Sequence, residues 1–208
     1  AYEIAQCLVS SEMCIRDRCW TTHPQATPVK LADGFGGSNP PDATFFKELN
    51  VSITHSLQYG ILHLTIDRVE RRNALTAEMF ADLADELDQA IMQTAVRVVL
   101  LKSSGTVFSA GADLEEMFSA PEDLERETRR FFDSIAKFPK PIIAQVSGPC
   151  VGEAFAALLY CDLVYVSPQA LFSLPAVALA RTPRYGAAQI MAAAAGYPAA
   201  AEKLLLSE

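Results

Sequence analysis

The sequence has 208 residues, with 25 acidic against 17 basic side chains and a formal net charge of −8. Because 50% of its residues are hydrophobic, a wholly disordered chain is excluded, and one domain with or without a tail is expected. The acidic balance argues against a nucleic-acid partner, although a few local groups can still bind a small anion.

No apolar run reaches the roughly 18 residues that a membrane span requires. The first residues also lack a basic start followed by an apolar stretch, so no secretory signal is expected. These features predict a cytoplasmic protein without a membrane partner. The odd count of 5 cysteines and their spacing favour neither a disulfide framework nor a metal site. Cys150 and Cys161, in apolar surroundings, are interpreted as buried thiols.

Residues 1–50 are predicted to form an irregular tail, followed by one domain over residues 51–208. Prolines at Pro24, Pro28, Pro40 and Pro41 interrupt any helical or strand period in this segment. Within it, Leu8–Arg18 resembles a translated sequencing adapter, which indicates a tail of non-native sequence.

The domain opens with two strand-like runs, Val51–Leu57 and Gly60–Asp67, which are predicted to pair as a hairpin. Thr76 then caps an amphipathic helix that continues to Ile91. The run Val96–Leu101 is continuously apolar and is predicted to be a strand buried on both faces.

Strands and helices alternate through the rest of the chain, which indicates an α/β domain. In chain order the predicted elements are a helix over Asp123–Phe138, a strand over Ile142–Val146, a turn over Gly148–Gly152, a buried helix over Glu153–Tyr160, a strand over Leu163–Val166, and helices over Ala187–Ala195 and Ala199–Leu206.

Three segments could carry chemistry. The loops Phe108–Leu114 and Val146–Glu153 are rich in small residues, and each leads from a strand into a helix. Each is either a plain turn or a loop that presents backbone N–H groups, and two such loops could converge on one carbonyl oxygen as an oxyanion hole. The segment Arg71–Leu75 contains either two solvated arginines or a clamp for phosphates.

Together these segments resemble the enoyl-CoA hydratase/isomerase (crotonase) family over Val51–Glu208. Three ordered motifs carry the resemblance: VERRNALTAEMFADLADELDQA, FSAGADLEEM and PKPIIAQVSGPCVGEAFAALLYCDLVYVS. The isomerase-like branch of the family is the most similar. The resemblance implies a crotonase-like stack of ββα units, the spiral type shared with ClpP.

The resemblance also implies an acyl-CoA thioester as substrate, bound by a homotrimer or hexamer, with no metal and no cofactor beyond the coenzyme A of the substrate. It assigns the oxyanion hole to the backbone N–H groups of Ala112 and Glu153. It assigns coenzyme A binding to Arg71, Arg72, Asn73, Ala74, Ala110, Gly111, Asp113 and Leu114.

The sequence departs from the family at the acid/base positions. The two glutamates of the hydratases correspond to Ala156 and Ala176, and the isomerase glutamate corresponds to Arg184. Neither alanine nor a permanently charged arginine can accept a proton, so hydration is the least expected reaction. The remaining candidates for an acid/base are Glu153, Asp113, Glu115, Glu116 and Tyr185.

Glu153 is interpreted either as the base or as a carboxylate that faces solvent or a partner subunit. Asp113, Glu115 and Glu116 at a helix start are more typical of charges that compensate the helix dipole. Two functions follow: an isomerase or lyase of fatty acid metabolism that works through an enolate, or an inactive acyl-CoA-binding paralogue or fragment. Because family members continue into further helices, a C-terminally truncated chain with Leu204–Leu206 partly uncovered is expected.

Overall fold

Helices follow strands throughout the domain, which confirms the α/β prediction. The structure is a computed structural model, and it describes residues 13–15, 18–22 and 52–206. Its strands are β1 (Met13–Ile15), β2 (Arg18–Thr22), β3 (Ile53–Gln58), β4 (Ile61–Ile66), β5 (Val98–Ser103), β6 (Ile142–Val146), β7 (Cys150–Val151), β8 (Leu163–Val166) and β9 (Phe172–Ser173). Its helices are α1 (Ala77–Met92), α2 (Leu114–Ser119), α3 (Pro121–Lys137), α4 (Glu153–Leu158), α5 (Ala187–Ala195) and α6 (Tyr197–Leu206), with a 3₁₀ turn at Val69–Arg71.

The main sheet has 7 strands in the order β1-β2-β8-β6-β5-β4-β3. β3 and β4 form the predicted antiparallel hairpin, with Ile53 opposite Ile66. From β4 to β8 the strands are parallel, so the segments that follow them all leave at one edge of the sheet. The two glycine-containing loops therefore start next to each other.

A short second layer of extended chain lies beyond that edge. β7 pairs in parallel with β9, with Cys150 opposite Phe172. Isolated bridges extend this layer by joining Leu75 to Ala112 and Ser109 to Cys150. Each parallel strand from β4 to β8 in the main sheet is thus followed by a short extended segment and then a helix, which is the ββα repeat that the resemblance implies.

The core lies between the sheet and the helix pair α1 and α3. Thr76 Oγ1 accepts a hydrogen bond from the Met79 N–H at 3.2 Å, so the predicted cap is confirmed. The apolar stripe of α1 packs its fully buried Phe80 against Phe131 of α3, with ring centroids 5.7 Å apart. The helix pair thereby fixes one side of the sheet on which the loops are supported.

The prediction that β5 is buried on both faces is wrong. Val99 and Leu101 are buried in the same core cluster as the helices, whereas Val98 and Leu100 on the opposite face are only half-buried. The physical reason is that, within the described residues, α1 and α3 cover a single face of the sheet. A continuous apolar run here reflects one packed face and one partly open face.

Two strands occur in the segment that was predicted to be irregular. β1 and β2 pair with each other, and β2 extends the sheet beside β8, with Trp20 opposite Val164. The prediction of wholly irregular structure does not hold for these strands. Other residues of 1–51 lie outside the described residues, and the division into tail and domain stays a prediction.

Three smaller expectations concerned the two buried cysteines, the leucines at the end of α6 and membrane spans. Cys150 and Cys161 are buried free thiols, as predicted, and burial raises the pKa of the Cys150 thiol. At the end of α6, Leu204 is buried whereas Leu205 and Leu206 are exposed, so the uncovered surface is smaller than expected. No helix in the described ranges is both long and apolar enough to cross a bilayer.

Candidate active site

The loop Phe108–Leu114 directs the Ala112 N–H away from Leu75, to which the residues on either side of Ala112 are hydrogen-bonded. The Leu75 N–H donates to the Gly111 carbonyl, and the Asp113 N–H donates to the Leu75 carbonyl, both at 2.8 Å. Since neighbouring residues of an extended chain point their N–H groups to opposite sides, the Ala112 N–H faces the second loop. It donates there to Glu153 Oε2 at 3.3 Å.

Asp113 anchors the end of this loop. Its carboxylate caps α2 by accepting from the Glu115 and Glu116 N–H groups at 2.8 and 3.3 Å, and it accepts from Arg68 Nη1 at 2.5 Å. Burial by itself would raise the pKa of Asp113, but the Arg68 hydrogen bond, the two N–H donors and the Arg68 charge together lower it. Asp113 is therefore a fixed anion of the fold and a poor candidate for the base.

A buried network of hydrogen bonds around Asn73 supports the loop Phe108–Leu114. Asn73 Nδ2 donates to the carbonyls of Ser104 and Val107, both at 2.8 Å, and its Oδ1 accepts from the Arg68 N–H at 2.8 Å. The Asn73 side chain is thus fully engaged inside the protein, and any contact with coenzyme A would have to come from its backbone.

The fully buried Ser109 continues this network. Its hydroxyl donates to the Asn73 carbonyl at 2.7 Å and accepts from the Gly111 N–H at 3.1 Å. These bonds hold Gly111, and with it Ala112, in place.

The two loops touch at a pair of glycines. Gly111 has φ +89°, and a Cβ there would lie 2.8 Å from the Val151 carbonyl oxygen and 3.4 Å from Gly152 Cα. Only glycine allows this approach. The Gly152 N–H donates to the Ser173 carbonyl, whereas the Glu153 N–H has no hydrogen-bond acceptor among the described residues.

A small pocket opens beside Glu153. Its wall includes Ala156, Ala176 and Arg184, the three positions at which the family resemblance placed acid/base glutamates. The structure thus brings these positions together around one cavity. The other lining residues are mainly apolar, as in most small-molecule sites, and they include Met117, Leu174, Pro175, Leu179 and Tyr185.

Arg184 and Tyr185, two further residues considered for the acid/base role, both contact α3. Arg184 Nη1 pairs with Glu125 Oε2 at 3.0 Å, and the Arg184 charge lowers the pKa of that carboxyl. The Tyr185 ring stacks on Phe132 at 4.4 Å with an interplanar angle of 1°. Burial raises the pKa of Tyr185, so this phenol stays protonated near neutral pH.

The other candidate acids lie outside the pocket wall. Glu116 Oε2 accepts from the Ala77 N–H at 2.7 Å and so caps α1, while the exposed Glu115 lies 3.9 Å from Arg71. Both groups serve helix ends or the surface, as the dipole interpretation favoured. The Glu153 side chain accepts from the Ala112 N–H, and Glu153 lines the pocket. The alternative in which this side chain faces only solvent therefore does not hold.

The residues predicted for coenzyme A are divided between the rim and the interior, since Asn73, Gly111 and Asp113 are buried. Arg71, Arg72, Ala110 and Leu114 are exposed, and the Ala110 N–H donates to the Arg72 carbonyl at 3.0 Å. Their role in binding coenzyme A stays a prediction.

Sequence reasoning missed Arg68, Ser109 and Arg181. Arg68 follows the end of β4, and Ser109 is one of two polar side chains in the loop Phe108–Leu114; those positions were the available signals. Arg181 lines the pocket without belonging to any of the three motifs.

The ββα stack defines a class of fold that solved structures share. An enoyl-CoA hydratase/isomerase from Pseudoalteromonas atlantica T6c is 34% identical with a TM-score of 0.72, over 76% of this chain and 62% of that one. An enoyl-CoA hydratase from Mycobacterium avium subsp. paratuberculosis K-10 is 32% identical with a TM-score of 0.72, over 77% of this chain and 65% of that one.

A sequence model described as enoyl-CoA hydratase/isomerase matches residues 56–208. The chain belongs to the enoyl-CoA hydratase/isomerase family. It is 34% identical to the 2,3-dehydroadipyl-CoA hydratase of Escherichia coli (strain K12), over 74% of this chain and 61% of that protein. It is 31% identical to enoyl-CoA delta isomerase 2 of Rattus norvegicus, over 72% of this chain and 40% of that protein. The chain thus spans less than two thirds of the length of both relatives.

Proposed function

We propose that this protein binds an acyl-CoA thioester and moves a proton next to the thioester carbonyl, as an isomerase-type enzyme. The carbonyl oxygen gains negative charge when the neighbouring carbon loses its proton. The N–H groups of Ala112 and Glu153 stabilise that charge, and the Glu153 carboxylate carries the proton.

One observation carries the proposal: the Ala112 N–H already donates to an anionic oxygen, Glu153 Oε2, at 3.3 Å. A donor fixed at such a distance from a carboxylate oxygen is suited to an enolate oxygen as well. The Glu153 N–H is available at the start of α4, across the contact between the two glycines. Preorganised donors of this kind are worth about 3 kcal/mol each in the transition state.

The pocket favours a single-base reaction over hydration. Hydration in this family uses two carboxylates, and the positions assigned to them are Ala156 and Ala176. Within the described residues, Glu153 is the only acidic side chain that lines the pocket. A single carboxylate next to the enolate can remove a proton from one carbon and return it to another, which is an isomerisation.

Binding of the coenzyme A moiety is assigned to the exposed rim of the loops. Arg71 and Arg72 supply positive charge in a protein whose formal net charge is −8. Guanidinium groups suit phosphate oxygens because they donate paired hydrogen bonds. By family resemblance and composition, the proposal includes a cytoplasmic homotrimer or hexamer. The curated relatives act on different acyl-CoAs, so they do not name the acyl group of this chain.

The test is exchange of the α-proton in deuterated water, followed by mass spectrometry over a panel of saturated and unsaturated acyl-CoAs. The wild type is compared with Glu153→Gln, which removes the carboxylate but keeps the backbone N–H. Glu115→Gln is the matched control because Glu115 is an exposed carboxylate outside the pocket wall. Exchange in the wild type and in Glu115→Gln, but not in Glu153→Gln, supports the proposal.

Exchange that survives in Glu153→Gln would keep the enolate site and reject Glu153 as its base. Binding of acyl-CoA without any exchange favours a second function, a non-catalytic acyl-CoA-binding protein. The observation that favours this second function is the replacement of every family acid/base position by Ala156, Ala176 or Arg184 around one pocket.

A further inference from the structure

Arg181 is a cation of the pocket wall that has no counter-ion among the residues that the structure describes. It lines the same cavity as Glu153 and is only partly buried. Its backbone N–H donates to the Ala176 carbonyl at 2.8 Å, which holds the Arg181 backbone on the pocket wall. The guanidinium, by contrast, takes part in none of the ion pairs within the described part of the chain.

The second arginine of the wall, Arg184, is already paired. Its guanidinium lies 3.0 Å from Glu125, which also accepts from Arg129 at 3.1 Å. Arg181 is therefore the wall cation whose donors are open to a ligand. A partly buried guanidinium binds a carboxylate through charge-assisted hydrogen bonds, often in a bidentate arrangement.

The open guanidinium of Arg181 is the part of the wall that suits an anion. Arg184 is paired with Glu125, and the glutamate of the wall, Glu153, already accepts from the Ala112 N–H. The rest of the wall is mainly apolar, so an anion that enters is partly withdrawn from water and gains more from a fixed cation.

We infer that the pocket receives an acyl group that itself bears a carboxylate, and that Arg181 binds this carboxylate. The inference rests on the proposed acyl-CoA binding, since the thioester end must lie at Ala112 and Glu153. It names a substrate class, acyl-CoA derivatives of dicarboxylic acids. Arg181 acts as a specificity residue and takes no part in the proton transfer.

The experiment compares ligands that differ only in that carboxylate: glutaryl-CoA against pentanoyl-CoA, and adipyl-CoA against hexanoyl-CoA. Binding is measured by titration calorimetry on the full chain. For at least one pair we expect the dicarboxylic ligand to bind about tenfold more tightly or better, because hydrogen bonds between two charged groups are stronger than those between neutral groups. The preference has to be local, since the protein as a whole is acidic and repels the additional charge.

Two variants test the residue. Arg181→Gln should weaken binding of the dicarboxylic ligands more than binding of hexanoyl-CoA and so reduce the preference to about twofold or less, and Arg181→Lys should retain part of the preference because the charge remains. Arg97→Gln is the matched control, because Arg97 precedes β5 at the end opposite the loops and bonds to the Tyr59 carbonyl. Far-ultraviolet circular dichroism and the urea midpoint show whether each variant is folded.

The outcomes separate this inference from the proposed function. Binding of hexanoyl-CoA with no gain for adipyl-CoA or glutaryl-CoA overturns the inference and leaves acyl-CoA binding intact. A preference that persists in folded Arg181→Gln also overturns the assignment to Arg181. If a folded sample binds neither member of either pair, the proposed function fails and the inference fails with it.

Discussion

The Glu153 carboxylate accepts a hydrogen bond from the Ala112 N–H at 3.3 Å, so one side chain connects the two loops of the candidate site. The carboxylate and the proposed thioester oxygen compete for the same donor. Unless a ligand displaces it, Glu153 holds the position that the enolate oxygen is expected to occupy.

Removing that carboxylate should therefore change binding and chemistry in opposite directions. We expect Glu153→Ala to bind acyl-CoA roughly fivefold more tightly, because a partly exposed charge-assisted hydrogen bond worth about 1 kcal/mol no longer has to be broken. Proton exchange should be lost in the same variant. Titration calorimetry measures the first effect and deuterium incorporation the second, with Glu115→Ala as control. Equal affinities of Glu153→Ala and the wild type would contradict the competition.

Contact between Gly111 and the Val151 carbonyl oxygen should make Gly111 intolerant of any side chain. We expect Gly111→Ala to lower the free energy of unfolding by about 2–4 kcal/mol, through its positive φ and a Cβ at 2.8 Å from that oxygen. Gly105→Ala is the matched control, with φ +76° and only the exposed Val69 side chain nearby, and should cost about 1 kcal/mol. Urea unfolding measures both, and a similar loss in the two variants would mean that loop contact contributes little.

The Arg68–Asp113 pair should make stability depend on acid. Asp113 has a folded pKa below its usual value of 3.8, so its contribution is complete above that value and is lost as pH falls through the lower folded pKa. We expect Arg68→Met to cost about 3 kcal/mol near neutral pH, since it leaves a buried carboxylate without its cation. The difference between wild type and Arg68→Met in urea unfolding should shrink under strongly acidic conditions. A difference that is constant with pH would show that Arg68 stabilises by packing alone.

Loss of the arginine pair at the loop rim should weaken binding of coenzyme A. Arg71→Ala combined with Arg72→Ala is expected to reduce acyl-CoA affinity about tenfold at low salt and less at high salt, because exposed charges are screened. An acyl N-acetylcysteamine thioester, which lacks the phosphates, should bind both proteins equally. Arg126→Ala combined with Arg129→Ala removes two exposed arginines of α3 as control. Unchanged acyl-CoA affinity in the rim variant would remove this segment from the site.

Much of the fold could be predicted from the sequence, because hydrophobic periodicity and helix capping depend on residues that are close together along the chain. The α1 stripe from Met79 to Leu87 and its Thr76 cap were found from spacing, and β6 and β8 were found to the residue. The sequence did not predict that one face of β5 is only partly covered, since a run of apolar residues does not reveal whether helices cover one face of a strand or both. The short strands β7 and β9 were missed because two-residue segments carry no period.

By itself, the sequence determined the family and the absence of glutamate at Ala156, Ala176 and Arg184, and it left each of the two glycine-containing loops open between a plain turn and an N–H-presenting loop. These are properties of residue types in a fixed order, and the order of the motifs carries them. Only the tertiary structure decided that these three positions line one pocket, that Glu153 points at the Ala112 N–H, and that Arg181 has no counter-ion among the described residues. Those facts depend on where distant segments meet, and that is set by the parallel sheet and the glycine contact between the loops, not by spacing along the chain.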